Sequence, residues 1–286
     1  MTISFFLQMF FNGLQIASVY ILIALGFTLI FGILHIVNCA HGSIYMLGGY
    51  IIWLLLSILK VNYFLSIIIC AVVVALLGVV LERLIFRPLQ GMVMPVIIVS
   101  VGLMQILEQS ALLGFGTMEK VIPNPFPGVL HFWGTVFPTQ RLVVMLIAFV
   151  LAALLIWWVQ KTKRGLALRA VALDSETASL HGISFSRYGS LCFAIGCALA
   201  GVAGALVAPM FKIDPFMGSG PLMKIFVIIV IGGLGSVPGA ILGGFLIGFI
   251  DSVVATLLDS VIATMVGFVM IIVVLIFKPM GFFGHE

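Results

Sequence analysis

Long apolar runs, separated by short polar breaks, make up most of this chain of 286 residues. A helix needs about 20 apolar residues to cross the hydrocarbon core of a bilayer. The runs predict nine crossing segments, or eight if the first or a short one is re-entrant. In order, these segments are 5–33, 43–58, 62–81, 95–113, 142–159, 191–209, 222–235, 240–252 and 261–277.

The first segment is too long for one straight crossing. Asn12, Gly13 and Gln15 interrupt its first part, and we predict that they break or tilt the helix. Asn12, Gln15 and Ser18 also recur at a spacing of three, on one helix face. Their side chains are candidates to face a polar pathway. They are equally suited to hydrogen bonding between neighbouring helices, which is a common role of polar side chains in membranes.

The composition excludes a soluble globular protein. Only 8% of the residues are charged and 63% are hydrophobic, with a mean hydropathy of +1.37, whereas soluble domains are about 25% charged. The runs are continuous and do not alternate, which favours helices over a β-barrel. We therefore predict an all-α polytopic membrane protein with eight to nine transmembrane helices, forming one domain over residues 1–286.

The basic residues predict an orientation. We place eight on the side of the hydrophilic loop 160–189, namely Arg83, Arg87, Lys161, Lys163, Arg164, Arg169, Arg187 and Lys278. We place five on the other side, namely Lys60, Lys120, Arg141, Lys212 and Lys224. Because Lys and Arg concentrate in cytoplasmic loops, the loop and the C-terminus are predicted to be cytoplasmic. The +4 net charge is thus interpreted as a topology signal and not as a nucleic-acid footprint.

The stretch "HIVNCAHGSIYMLGGY", 35–50, is unusually polar for this chain. His35, Cys39 and His41 raise the hypothesis of a metal site or an intramembrane metalloenzyme. Zinc takes four ligands, or three with a water molecule, and no acid or third histidine is nearby. We therefore favour a structural joint, and we predict no metal in this chain.

We predict that this joint is the cytoplasmic turn between the first two spans. Asn38 and His41 are suited to satisfying the free backbone groups where one helix ends and the next begins. Gly42 would allow the turn, and Ser43 would cap the second helix.

Small residues predict close helix contacts in two spans, because helices in lipid associate by close packing. Gly196, Ala200 and Gly204 lie four apart, on one stripe. Gly243, Gly244 and Gly248 provide a similar surface in a later span.

Glu108 is an ionisable residue within a predicted span, which is by default a functional hypothesis. It is a candidate pathway residue that would meet the ammonium group of an amino acid. We favour the alternative, a carboxylate near the outer helix end that reaches water with help from Gln105 and Gln109. Asp251 and Asp259 are predicted to be solvated near an outer turn.

The hydrophilic loop 160–189 is predicted to be ordered. Asp174 is suited to cap a short helix over 175–181, with Glu176 in its first turn and Gly182 just past its end. A second short helix, 166–173, precedes it. We interpret this pair as a docking element, the alternative being an ordinary ordered loop. The chain has no phosphate-binding or hydrolase motif, so we expect a transport protein and not an enzyme, with no cofactor of its own.

Four patches resemble the permease subunit of branched-chain amino acid ABC importers, in the family's order and over nearly the whole chain. They are the segment 20–50, "ERLIFRPLQG" at 82–91, "RGLALRAVALDSETASLHGI" at 164–183, and "IGGLGSVPGAILGG" at 231–244 with "KPMGFFG" at 278–284. The resemblance implies a type II importer-like fold in a bacterial-type cytoplasmic membrane.

The resemblance also implies partners. A second, homologous permease would pair with this chain, two cytoplasmic ATPase subunits would hold the ATP and Mg²⁺, and an external binding protein would deliver the solute. The loop 160–189 would contact the ATPase through Arg169, Asp174, Glu176, Leu180 and Gly182. Similar permeases are thought to carry urea, short-chain amides or aromatic acids, so the solute stays open. A different class, a stand-alone channel or secondary carrier for a small neutral solute, is the further alternative.

Overall fold

This computed structural model describes residues 3–132 and 135–283. Its helices are α1 (Ile3–Leu34), α2 (His41–Trp53), α3 (Tyr63–Leu81), α4 (Val93–Phe115), α5 (Thr139–Lys161), α6 (Lys163–Leu173), α7 (Ser175–Leu180), α8 (Phe185–Val207), α9 (Ser219–Gly232), α10 (Val237–Leu257) and α11 (Ser260–Phe277). A π-helical turn, Leu54–Ile58, extends α2, and another, Glu82–Phe86, extends α3 into a short 3₁₀ turn. Gly284, the last residue of the terminal patch, lies outside the described residues.

Eight helices of the described chain are long and apolar enough to cross a membrane. They are α1 to α5, α8, α10 and α11, with α2 and α3 counted together with their extensions. Helix α9 has 14 residues, about 21 Å at 1.5 Å per residue, which is less than the roughly 30 Å of a bilayer core. The predicted all-α membrane fold is confirmed, with eight full-length spans and one short apolar helix.

One small sheet interrupts the helical architecture. Strands β1 (Val129–Phe132) and β2 (Thr135–Pro138) pair antiparallel in the polar segment between α4 and α5. Hydrogen bonds between Lys120 and Ile213 join this segment to the one between α8 and α9. We call this side of the molecule the hairpin face, and the opposite side, which carries α6 and α7, the α6–α7 face.

Helix α1 is continuous for 32 residues, so the predicted break near Asn12 and Gly13 is wrong. The helix contains no proline, and proline and inserted side chains are the usual causes of sharp kinks. Gly13 packs against the ring of Phe249 on α10, so its missing side chain serves helix contact. Most of α1 from Gly13 onward is buried.

The small residues of α8 and α10 lie where backbones approach each other. On α8, an added Cβ at Gly196 would overlap the Gly26 carbonyl oxygen of α1, and one at Gly204 would overlap the Tyr45 carbonyl oxygen of α2. Ala200, between them, is fully buried. On α10, Gly243 faces α9, while Gly244 and Gly248 face α1. These are positions at which the sequence predicts close packing. Helices α1 and α8 form the buried centre of the fold.

Two helices, α2 and α9, begin within the depth of the other helices and not at the hairpin face or the α6–α7 face. The first turn of α2 lies beside Ile23, because His41 Nε2 is 3.3 Å from the Ile23 carbonyl oxygen. Ile23 precedes the end of α1 at Leu34 by 11 residues, about 16 Å along the axis. Gly218, which precedes α9, packs against Gly42. The N-terminal ends of α2 and α9 therefore meet near mid-depth.

Candidate functional site

Helices α6 and α7 form an exposed unit whose ends are fixed by side-chain caps. The Thr162 hydroxyl accepts a hydrogen bond from the Gly165 amide at the start of α6. Asp174 caps α7 by accepting from the Glu176 and Thr177 amides, at 2.9 and 3.1 Å. The Thr177 hydroxyl and then these amides hold the pKa of Asp174 below its usual value. Gly182 follows α7 with φ +78°, a conformation that favours glycine.

All five residues that the sequence predicts for ATPase contact are exposed on this unit, namely Arg169, Asp174, Glu176, Leu180 and Gly182. Leu173 and Leu180 expose 88% and 85% of their surface. Such exposure of large apolar side chains beside charged ones is typical of a protein contact surface. The described residues on this face thus present both apolar and charged groups to a partner.

A groove of about 510 Å³ lies behind α7. Its walls are the residues 171–176, the linker that follows α1, and the beginning of α4. The linker residue His35 has a positive φ of 52°, which is uncommon for a residue other than glycine. The groove therefore lies between the exposed helix pair and the beginning of the polar stretch 35–41.

Glu82 and Arg87, at the end of α3, form an ion pair that also bonds the beginning of α8. Glu82 is fully buried and accepts from Arg87 Nε at 3.1 Å and Nη2 at 2.9 Å. The Ser190 hydroxyl donates to the same carboxylate at 2.7 Å, and Arg87 donates to the Ser186 carbonyl at 3.1 Å. Sequence reasoning missed this cluster, although both charges lie in the patch 82–91. A π-helical turn brings residues five apart onto one face, a spacing that helical periodicity does not reveal.

A second charged cluster lies within the depth of the helices. Lys224 of α9 donates to Asp251 Oδ1 of α10 at 2.7 Å, and the Tyr20 hydroxyl of α1 donates to Oδ2 at 2.9 Å. The prediction that Asp251 is solvated near an outer turn is wrong, because its side chain is only 9% exposed. Lys224 likewise belongs to a helix interior and not to an outer loop. The sequence feature that could have indicated both buried positions is an ionisable residue next to an apolar run.

These three residues border a cavity of about 410 Å³ that extends toward the hairpin face. Six helices contribute to its walls, which are largely apolar. Its lining comprises Gln15, Ile16, Val19, Tyr20, Ile23, Tyr45, Val207, Phe211, Lys212, Met217, Pro221, Lys224, Asp251, Ala255, Ser260, Ala263 and Thr264.

Of the four predicted pathway residues, Gln15 lines this cavity. Asn12 instead accepts from Arg141 Nη1 at 2.8 Å, and the Ser18 hydroxyl donates to the Gln15 carbonyl oxygen of its own helix. Glu108 is buried and accepts from the Ser43 hydroxyl at 3.4 Å. The interpretation that Glu108 reaches water is therefore wrong, since α2 covers it.

The stretch 35–41 joins α1 to α2, with His35 exposed and Asn38 and His41 buried. Asn38 is fully buried, and its side chain accepts from the Ala40 amide at 3.0 Å. His41 bonds the α1 backbone at Ile23, as described. Asn38 therefore bonds a backbone group at this joint, as the sequence predicts, whereas His41 bonds a carbonyl within α1, 11 residues before that helix ends.

The two residues that follow His41 have other roles than the predicted ones. Helix α2 begins before Gly42 and Ser43, so Gly42 does not form the turn and Ser43 does not cap the helix. Gly42 instead permits contact with Gly218, and the Ser43 hydroxyl faces Glu108. Both residues thus join α2 to other helices.

Metal binding has no geometric basis in the part of the chain that the structure describes. No three side chains of His, Cys, Asp or Glu come together there in a way that could hold an ion. His35 and Cys39 do not share a helix face, because the residues 35–38 are not helical.

Comparison with known proteins agrees with the helical architecture. Residues 9–276 match the family model described as branched-chain amino acid transport system / permease component. The permease protein BraD of Pseudomonas aeruginosa, from a high-affinity branched-chain amino acid transport system, is 33% identical over 98% of this chain and 96% of its own. LivH of Escherichia coli K12, with the same description, is 32% identical over the same shares.

A more distant relative comes from an archaeon. The probable branched-chain amino acid transport permease protein LivH of Methanocaldococcus jannaschii is 29% identical over 83% of this chain and 78% of its own. No solved structure gives a significant match.

Proposed function

We propose a function from one premise: the chain belongs to the family of branched-chain amino acid transport permeases. It is a membrane-spanning permease subunit of an ABC importer that moves branched-chain or other hydrophobic amino acids by alternating access. The observation that carries this conclusion is the family match over residues 9–276, on a fold with eight long apolar helices. The chain is a transport subunit and not an enzyme.

The partners follow from the transport system that the family description names. A homologous permease pairs with this chain, two cytoplasmic ATPase subunits bind ATP and Mg²⁺, and an external binding protein delivers the solute. The exposed surface of α6 and α7 supports an ATPase contact, because its apolar side chains and charges have no cover within the described chain.

Charge supports the direction in which the chain crosses the membrane. Once buried Lys224 is removed from the outer group, eight basic residues on the α6–α7 face compare with four on the hairpin face. The excess supports a cytoplasmic location for the α6–α7 face in a bacterial-type membrane. The C-terminal segment lies on the same side, since the Phe282 and Phe283 amides bond the last turn of α9 near the start of α10.

The contacts of α7 explain how ATPase motion would reach the spans. Helix α7 ends five residues before α8 begins, and α8 is one of the two central helices. The Glu82–Arg87–Ser190 cluster ties the first turns of α8 to α3. A displacement of α7 therefore acts on two spans at once, as in rigid-body switching.

Transport by the reconstituted importer tests the proposed function. Proteoliposomes containing this permease, its partner permease and the ATPase receive binding protein loaded with radiolabelled leucine. We expect leucine uptake that needs both ATP and the binding protein. Uptake of urea, a short-chain amide or an aromatic acid in place of leucine would replace the solute, and uptake without ATP would indicate a secondary carrier.

Charge reversal on α6 and α7 tests the coupling surface. We expect Arg169→Glu and Asp174→Lys to lower uptake by about fivefold or more while ATP hydrolysis persists. A fivefold change is the lower end of the range that typical coupling free energies produce. Arg83→Glu is the matched control, because Arg83 is exposed on the same face outside α6 and α7. Normal, binding-protein-stimulated uptake in both test variants would contradict the assignment.

A further inference from the structure

The cavity beside α9 contains hydrogen-bond donors that the protein does not use. The ammonium group of Lys224 has three N–H donors. Within the described residues it has one acceptor, Asp251 Oδ1, at 2.7 Å. The Lys224 side chain is only 11% exposed and borders the cavity. Two of its donors are therefore available to a molecule that enters.

Gln15 supplies a second polar group of this kind. Its side chain is 5% exposed and lines the same cavity, and its amide group has no hydrogen-bond partner among the described residues. Buried polar groups in folded proteins nearly always have partners. The amide of Gln15 is therefore placed to bond a molecule inside the cavity.

Asp251 offers the complementary acceptors. Lys224 occupies one site on Oδ1 and Tyr20 one site on Oδ2. A carboxylate has about four lone-pair sites, so each oxygen accepts one further hydrogen bond. The cavity thus presents a cation with free donors and an anion with free acceptors side by side.

The remaining walls suit an apolar side chain. Ile16, Val19 and Ile23 of α1 line the cavity together with Met217 and Val207. Its volume of about 410 Å³ falls within the range of about 300–1,000 Å³ that small-molecule sites occupy. Gln15, Lys224 and Asp251 contribute polar groups to the same lining, and such groups fix the orientation of a ligand.

We propose that this cavity holds a zwitterionic amino acid within the permease during transport. Its carboxylate bonds Lys224 and Gln15, its ammonium bonds Asp251, and its apolar side chain packs against α1 and Met217. This inference rests on the proposed function and adds the site and its recognition chemistry. A zwitterionic ligand offers an opposite charge to each of these two groups, which a neutral solute such as urea does not.

The decisive variant removes both charges together. Lys224→Met with Asp251→Leu leaves no unpaired buried charge, and such replacements are often neutral for folding. The readout is leucine taken up per ATP hydrolysed by the reconstituted importer at saturating binding protein. We expect a loss of about tenfold or more, the size that removal of a charge-assisted hydrogen bond produces. Assembly with the ATPase and stimulation of ATP hydrolysis persist.

Lys60→Met with Asp259→Asn is the matched control, because both residues are exposed toward the hairpin face and neither lines the cavity. Uptake per ATP in the charge-free variant within twofold of wild type would overturn the inference and leave the pair a helix contact. If that variant fails to assemble, Gln15→Leu decides, since it removes an unpartnered amide. We then expect a loss of about threefold or more, and wild-type uptake would overturn the inference. Absence of leucine uptake by the wild-type importer would overturn this inference and the proposed function together.

Discussion

Glu82 is fully buried at the end of α3, where Arg87 and Ser190 are its partners. We expect Glu82→Ala to destabilise the protein by about 1–3 kcal/mol, because the buried Ser190 hydroxyl loses its acceptor and Arg87, which is 33% exposed, loses its carboxylate partner. The thermal unfolding midpoint of the purified protein measures this effect. Arg83→Ala, an exposed neighbour, is the control, and equal midpoints for the two variants would contradict the prediction.

Asp174 allows capping to be separated from charge. We expect Asp174→Asn to preserve helix α7, because Asn caps as well as Asp, and Asp174→Ala to expose its amides. Hydrogen exchange of the residues 175–180 reports the difference. If Asn lowers uptake as much as Ala while protecting α7, the carboxylate itself contacts the ATPase; if only Ala lowers uptake, the cap is what matters.

The lowered pKa of Asp174 also sets a pH window. A carboxylate whose folded pKa is depressed stabilises the structure fully above its unfolded value, about 3.9, and loses that contribution as pH falls through the folded pKa. We therefore expect hydrogen exchange in α7, corrected for intrinsic rates, to be unchanged between about pH 7 and pH 5. Faster opening of α7 across that interval would show that the cap titrates there.

At the residue scale, the sequence revealed roles that depend on neighbours in the chain. The cap at Asp174 and the positive φ at Gly182 follow from local backbone geometry, and the structure has both. The environments of Asp251 and Glu108 depend on residues far away in sequence, on α9 and α2. No local pattern indicates that such partners will cover them.

At the element scale, the contact between α2 and α8 is made by backbone. A Cβ at Gly48 would overlap the Gly201 carbonyl group. We expect Gly48→Ala to destabilise the protein by about 1–3 kcal/mol, which is the cost of overpacking a tight core. Gly102→Ala on α4 is the matched control, since nothing lies within 4 Å of its added Cβ. Alanine favours helix there, so a lower unfolding midpoint for Gly48→Ala alone is the expected result.

The sequence predicts an element boundary correctly where an apolar run ends at the end of a helix. It predicts a false boundary where polar residues inside a helix have hydrogen-bond partners on other helices. The prediction for α10 stopped at residue 252, but the helix continues to Leu257. Asp251 and Ser252 remain inside it because Lys224 and the Met9 carbonyl oxygen satisfy them. The polar residues of α1 gave a false break for the same reason: Asn12 has Arg141 as a partner.

At the scale of the whole molecule, both ends of α3 test the orientation. Lys60 precedes this helix and Arg83 follows it, and both are exposed. In a Cys39→Ala background, we expect a membrane-impermeant maleimide added outside cells to label Lys60→Cys but not Arg83→Cys. Labelling of Arg83→Cys in intact cells would reverse the orientation.

The overall class was predictable from composition and apolar run length, because a bilayer imposes a fixed length on every span. The inward starts of α2 and α9 were not. A helix that begins near mid-depth needs irregular backbone around it, and such backbone is tolerated only when protein buries it or when it lines a water-filled cavity. The polar side chains of Asn38 and His41 in the stretch 35–41 bond backbone groups inside the fold, which explains why this stretch is polar.

The glycine contacts along α8 also determine how the molecule deforms. Where Gly204 meets Tyr45 and Gly48 meets Gly201, no flexible side chain lies between the two main chains to absorb a displacement. Side chains can change rotamer under load, whereas helical backbones are stiff. The contact between α2 and α8 is thus stiff. A displacement of the first turn of α8 is therefore transmitted almost fully to the N-terminal end of α2.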